Sequence, residues 1–283
     1  MDHLIGTAAL ADALDRRERK LAVMDASFYL PTEPQNPRAL FEEAHIPGAQ
    51  FFDIETIADL STGLPHMLPD SDAFAAAIAA LGISNDTEIV VYDQRGLFSA
   101  ARVWWMFHAH GHSHIAVLDG GLPKWRAESR PLASGAAHQP SPAHFAARLN
   151  PDMVRHRHHI LDIAERRSAK LLDARAAARF AGTAPEPRPG MRAGHVPGAI
   201  SLPFQHLLNA DQTLKSPAAL RALFAERGVD GTEPVVTMCG SGVTAAILTL
   251  GLHHAGLPMG GLYDGSWAEW GGRTDTPIET ANG

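Results

Sequence analysis

Residues 235–250 read VVTMCGSGVTAAILTL. Residues 235–238 are apolar or β-branched, which is typical of a buried strand, and two glycines follow at 240 and 242. Residues 245–250 favour a helix. A strand, a glycine loop and a helix in this order predict a cradle for an anion, because the loop N–H groups converge and the helix N-terminus adds partial positive charge.

Cys239 opens this loop and is the only cysteine in the chain. A lone thiol excludes an intramolecular disulfide and a multi-cysteine zinc site, so Cys239 is either a buried packing residue or a nucleophile. Its place in the loop favours the nucleophile, because the cradle stabilises a thiolate. A cysteine-dependent phosphatase would need an arginine at the end of the loop, where this chain has Ala245. Sulfur transfer through a persulfide on Cys239 is the remaining chemistry for this type of loop.

The loop belongs to the second of two similar halves. HIPGA at 45–49 recurs as HVPGA at 195–199, and LDGGLPKW at 118–125 recurs as YDGSWAEW at 263–270. A β-branched strand precedes each loop, and helical stretches alternate with strands, which implies parallel sheets covered by helices. The offset of 145 residues between Asp119 and Asp264 places Gln94 opposite Cys239. The first half contains no cysteine, so we expect it to lack the chemistry.

Composition and the positions of proline and glycine indicate how the chain is organised. The stretch 131–151 is rich in Pro, Ser, Ala and Gly, which predicts domains at 1–138 and 151–283 joined by a linker at 139–150. A content of 45% hydrophobic residues and a net charge of −7 indicate a folded chain that binds neither nucleic acid nor an anionic membrane. The N-terminus lacks a basic signal segment, and glycines interrupt the uncharged run 234–263, so we expect no membrane span. We expect a cytoplasmic location.

These motifs resemble the two-domain rhodanese superfamily over nearly the whole chain. The resemblance rests on the HxPGA motifs, on DGSW at 264–267 and on CGSGVT at 239–244. It implies an α/β fold of two tandem rhodanese-like domains, each a parallel sheet flanked by helices on both faces, with only the second domain active. Within the superfamily, the uncharged Gly240 and Ser241 resemble the 3-mercaptopyruvate sulfurtransferases, because thiosulfate sulfurtransferases typically have basic residues directly after the cysteine.

The resemblance also implies roles for individual residues. Arg179 and Arg188 would bind the carboxylate and the ketone of the substrate, while Arg175 would be structural. Ser241 is either a loop residue whose N–H matters or a member of a proton relay with His45. His45 is either that member or a turn-packing residue, since His195 has the same place in the other half. The other loop positions expected to bind substrate are Gly240, Gly242, Val243 and Thr244. Residues 66–69 (HMLP) also resemble the superfamily, without an assigned role.

The sequence thus predicts an enzyme that moves sulfur from 3-mercaptopyruvate to a thiol acceptor such as thioredoxin, or to cyanide, and releases pyruvate. No cofactor is expected, and no metal, because the histidine-rich stretches lack ligand spacing. Two alternatives stay open. One is a thiosulfate:cyanide sulfurtransferase, and the other is a noncatalytic rhodanese-like module that binds a partner or senses oxidants through Cys239.

Overall fold

The computed structural model describes residues 2–16, 20–137 and 140–281. The chain divides into two compact units. The first comprises Met1–Asp59, Leu68–Asn150 and Asn209–Leu214, and the second comprises Leu60–Met67, Pro151–Leu208 and Lys215–Gly283. The predicted junction between residues 138 and 139 lies outside the described residues. Residues 140–150, which the sequence analysis placed in a linker, belong to the first unit.

The first unit is a parallel sheet flanked by helices. Its strands are β1 (Leu4–Ile5), β2 (Leu21–Asp25), β3 (Gln50–Phe51), β4 (Glu88–Tyr92) and β5 (Ile115–Leu118). Its helices are α1 (Thr7–Arg16), α2 (Pro37–Glu43), α3 (Ser71–Ala80), α4 (Ala100–Ala109) and α5 (Gly121–Ala127). Within the described ranges, the strands lie in the order β1-β5-β4-β2-β3, and every pair is parallel.

The second unit repeats this plan. Its strands are β6 (Val154–Arg155), β7 (Lys170–Asp173), β8 (Ile200–Ser201), β9 (Val235–Met238) and β10 (Gly261–Tyr263). Its helices are α6 (Arg157–Arg166), α7 (Ala177–Phe180), α8 (Pro217–Ala225), α9 (Ala245–His254) and α10 (Ser266–Trp270). The parallel order β6-β10-β9-β7-β8 matches that of the first unit strand for strand. The predicted α/β class with two tandem domains is confirmed.

The sheet of the second unit brings the cysteine loop to its carboxyl edge. β9 lies between β7 and β10, and all four of its residues are buried, as expected of a central parallel strand that is covered on both faces. The cluster around it includes Leu171, Met238 and Trp267. Cys239 follows directly after β9, at the edge where open parallel sheets bind their ligands.

The uncharged run 234–263 folds as β9, the loop, α9 and β10. Its helix, α9, has ten residues. Over the part of the chain that the structure describes, no helix combines the length and the apolar character needed to cross a bilayer.

Candidate active site

The cysteine loop is closed on one side by the start of α10. The backbone N–H of Cys239 donates to Ser266 Oγ at 3.1 Å, while the carbonyl groups of Cys239 and Gly240 accept from α10 backbone N–H groups at 3.0 and 2.8 Å. Cys239 is a free thiol with 2% of its surface exposed. Gly242 has a φ of +77°, a left-handed conformation that lets the chain curl around the thiol.

The backbone N–H groups of the cysteine loop have no acceptor among the residues that the structure describes. Among the described residues, none accepts a hydrogen bond from the backbone N–H groups of 240–244. Ser241, Gly242 and Val243 are buried. Since buried backbone donors are nearly always paired, a row of them beside a thiol and a helix N-terminus is suited to an anion.

The first unit contains the same loop, and its hydrogen bonds fix the correspondence between the halves. The carbonyl groups of Tyr92 and Met238 each accept at 2.8 Å from the backbone N–H of the residue after the neighbouring strand, β2 or β7. The next carbonyl, of Asp93 or Cys239, accepts at 3.0 Å from a backbone N–H of α5 or α10. Asp93 therefore corresponds to Cys239. The constant offset of 145 residues predicted Gln94 at this position, and the prediction is wrong by one residue, because α4 begins seven residues after Asp93 whereas α9 begins six after Cys239.

Asp93 fills the loop of the first unit with a carboxylate. Its Oδ2 accepts from the backbone N–H groups of Phe98, Ser99 and Ala100 at 2.8–2.9 Å, and its Oδ1 accepts from that of Arg95 at 2.9 Å. The Asp93 residue is fully buried. One copy of the loop thus holds a carboxyl group at the position where the other copy has the thiol.

Ser241 is paired with a histidine, but not the one that the sequence analysis named. His66 Nδ1 lies 3.0 Å from Ser241 Oγ, and both residues are buried in the second unit. His45 instead has its Nδ1 2.8 Å from the carbonyl oxygen of Phe41 and stacks on that ring at 4.1 Å. Ser241 therefore pairs with His66 rather than with His45, and the catalytic role expected of His45 stays a prediction.

His45 and His195 share one packing role. The Nδ1 of His195 lies 2.9 Å from the carbonyl of Phe180, and its ring stacks on Phe180 at 3.8 Å, as His45 does on Phe41. The turn-packing alternative for the histidine of each HxPGA motif is the one that this geometry supports. The sequence signal for His66 was the HMLP stretch at 66–69, whose similarity to the superfamily carried no assigned role.

Arg179 lies against the cysteine loop. A Cβ placed on Gly240 would be 3.0 Å from Arg179 Nη2. The Arg179 side chain is 20% exposed, and its guanidinium donates to Glu186. Arg188 is partly buried in the segment between α7 and β8. Its role in binding substrate stays a prediction.

Arg175 is a structural residue of the kind expected. Its fully buried guanidinium pairs with Asp173 at 2.7 Å, donates to the Gly194 carbonyl at 2.9 Å and lies 4.1 Å from the centre of the Trp267 ring. Elsewhere, the described residues contain no group of three or more His, Cys, Asp or Glu side chains arranged to hold a metal ion.

Comparison with known proteins places this chain in a family. Residues 8–128 and 158–273 match the rhodanese-like domain. The chain is 44% identical to human 3-mercaptopyruvate sulfurtransferase, over 94% of this chain and 91% of the human one. It is 39% identical to rat thiosulfate sulfurtransferase, over 99% and 95% of the two chains. The crystal structure of SseA from Escherichia coli, a 3-mercaptopyruvate sulfotransferase, superposes with a TM-score of 0.85 at 37% identity, covering 94% of this chain and 99% of that one.

Proposed function

Because the chain belongs to the rhodanese family and is a sulfurtransferase enzyme, we propose that it takes sulfur from 3-mercaptopyruvate and carries it as a persulfide on Cys239. One observation carries this proposal. Across the described ranges of the chain, no group accepts from the loop N–H groups around Cys239, while Asp93 supplies a carboxylate to the same loop in the first unit. A backbone that holds an anion in one copy is suited to hold the anionic outer sulfur of a persulfide in the other.

The first half-reaction moves one sulfur atom. The Cys239 thiolate attacks the thiol sulfur of 3-mercaptopyruvate, an S–S bond forms, and the bond between that sulfur and carbon breaks. The electron pair of the broken bond stays on the carbon and gives the enolate of pyruvate, which takes up one proton. Arg179 and Arg188 hold the carboxylate and the ketone, so their charge stabilises the enolate oxygen.

His66 and Ser241 supply the proton route. The Ser241 hydroxyl stands between the loop and the His66 imidazole, with 3.0 Å between Oγ and Nδ1. Ser241 donates its proton toward the enolate and recovers one from His66, since a hydroxyl and an imidazole at hydrogen-bond distance exchange protons readily. This assigns to His66 the relay position that sequence reasoning gave to His45.

The second half-reaction transfers the outer sulfur of the persulfide from Cys239 to an acceptor. A thiolate acceptor, such as that of reduced thioredoxin, attacks the outer sulfur, and the electron pair of the S–S bond returns to Cys239 as a thiolate. Cyanide takes the same sulfur as thiocyanate. The cytoplasmic location expected from the sequence belongs to the same proposal, and immunoblotting of fractionated source cells tests it.

Thiosulfate is the second candidate donor. The 39% identity to the rat thiosulfate sulfurtransferase over nearly the full length of both chains supports it. Gly240 and Ser241 support 3-mercaptopyruvate, because neither adds positive charge beside the thiol for a dianion.

Intact-mass spectrometry tests the proposal. The protein is incubated with 3-mercaptopyruvate or with thiosulfate, without an acceptor, and we expect a gain of one sulfur atom with 3-mercaptopyruvate. A Cys239→Ser variant should gain none, and pyruvate should appear in equal amount with the bound sulfur. Faster loading from thiosulfate would reverse the choice of donor, and no loading from either would favour a noncatalytic module.

A further inference from the structure

Four charged side chains beside the cysteine loop form one cluster, which we call the Glu186 cluster: Asp173, Arg175, Arg179 and Glu186. Arg175 lies 2.7 Å from Asp173 through Nη2 and 2.8 Å from Glu186 Oε1 through Nη1. The other oxygen of Glu186, Oε2, accepts from Arg179 Nε at 3.2 Å and also from Arg179 Nη2. Glu186 therefore joins the two arginines, with one oxygen for each.

The Glu186 cluster is fixed at the level of Cys239. Asp173 pairs in register with Met238, the residue before the cysteine. Arg175 packs on the ring of Trp267, whose backbone N–H holds the Cys239 carbonyl at 3.0 Å. The guanidinium of Arg179 thus reaches the loop at Gly240 in a position that Glu186 sets.

The charges of the cluster balance. Two carboxylates and two guanidinium groups sum to zero, and the side chains of Asp173 and Arg175 are fully buried while that of Glu186 is 5% exposed. Burial weakens solvent screening, so the Glu186 charge acts on whatever Arg179 binds. Arg179 consequently presents only part of its positive charge to a bound donor.

We propose that Glu186 is a specificity-determining residue that favours sulfur donors with a single negative charge. The inference rests on the proposed function, in which Arg179 binds the donor. A monoanion such as 3-mercaptopyruvate needs one guanidinium fork, whereas the second charge of thiosulfate adds repulsion from the Glu186 carboxylate behind that fork. Glu186 is a positioning residue, because it acts through Arg179.

The test compares donors in charge-changing and charge-retaining variants. Glu186→Gln keeps the shape of the side chain and removes its charge. We expect the ratio of kcat/KM for thiosulfate to that for 3-mercaptopyruvate to rise about tenfold, mainly through a lower KM for thiosulfate. Glu186→Asp retains the charge and should leave the ratio within about twofold of the parent value. Glu233→Gln is the matched control, because Glu233 pairs with Lys170 at 3.0 Å and is 55% exposed; both kcat/KM values should stay unchanged.

An unchanged donor ratio in a folded Glu186→Gln variant overturns the inference. An equal rise in Glu186→Asp and Glu186→Gln does so too, because side-chain length and not charge would then set the ratio. If Glu186→Gln does not fold, the parent protein provides the second measurement: pyruvate should protect Cys239 from alkylation by iodoacetamide at lower concentration than sulfate does. Equal protection by the two anions also overturns it. The proposed function is judged separately, by sulfur loading of the parent chain.

Discussion

Replacing Asp93 with alanine tests whether the loop of the first unit is built around an anion. The Asp93 carboxylate accepts four backbone hydrogen bonds from Arg95, Phe98, Ser99 and Ala100, and it is fully buried. Each buried donor left without an acceptor costs about 1–3 kcal/mol, although the relieved desolvation of the carboxylate offsets part of the total. We expect a loss of about 3–5 kcal/mol in the free energy of unfolding of the first unit.

Calorimetry and urea unfolding measure this loss, and formate provides a specific rescue. Formate is a carboxylate small enough to replace the deleted group, so it should raise the melting temperature of Asp93→Ala and leave that of the parent unchanged at equal ionic strength. Asp86→Ala is the matched control, because Asp86 is an exposed aspartate of the same unit that pairs with Lys20. It should show little destabilisation and no rescue.

Two results would refute the reasoning about Asp93. One is an Asp93→Ala protein as stable as the parent, which would mean that the loop N–H groups find other partners at no cost. The other is equal stabilisation of Asp93→Ala by formate and by chloride, which would show that no carboxylate-shaped site exists in the loop.

Three further predictions concern His66, His110 and Arg175. His66→Ala should lower kcat for 3-mercaptopyruvate by about 10²-fold or more with little change in melting temperature. His45→Ala should instead lower the melting temperature and leave kcat near the parent value. The reverse pattern would assign the relay role to His45. Burial lowers the pKa of His110 to about 4, so the unfolded chain takes up a proton below its ordinary pKa of 6.5 while the folded chain does not. Stability is therefore lost as the pH falls from 6.5 toward 4. The free energy of urea unfolding should differ between pH 7 and pH 5 by about 2 kcal/mol less in His110→Phe than in the parent. An unchanged difference would contradict this. Arg175→Met leaves the buried Asp173 carboxylate without its ion pair and should lower the free energy of unfolding of the second unit by about 3–5 kcal/mol. The loss should appear as a lower urea midpoint of that unit. A midpoint equal to that of the parent would contradict this.

The sequence predicted correctly the part of the site that forms from one continuous segment of the chain. Residues 235–250 form a strand, a loop and a helix because their apolar run, their glycines and their helix formers follow each other without a gap. Cys239 is the first residue of that loop, directly after the strand, for the same reason. The duplication of the two halves was also predictable from the sequence, because matching motifs recur in the same order.

The parts that the sequence misplaced depend on geometry that spacing does not encode. One extra residue in the loop of the first unit shifts the correspondence from Gln94 to Asp93, and an ungapped offset cannot detect it. His66 meets Ser241 across 175 positions of chain, whereas the HxPGA motif drew attention to His45. A motif shared by both repeats is better explained by what both copies need, which here is the stacking of a histidine on a phenylalanine.

The placement of Leu60–Met67 in the second unit limits how the duplicated halves can be exchanged. A fragment starting at Pro151 would keep Cys239 and Ser241 and lose His66, so the second repeat alone would lack the partner of Ser241 in the proposed relay. A chain that keeps both groups of the His66–Ser241 pair must therefore contain residues 60–67 as well as the second repeat. On the proposed function, deleting the copy without a thiol would remove His66, and with it the proton relay, from the unit that carries Cys239.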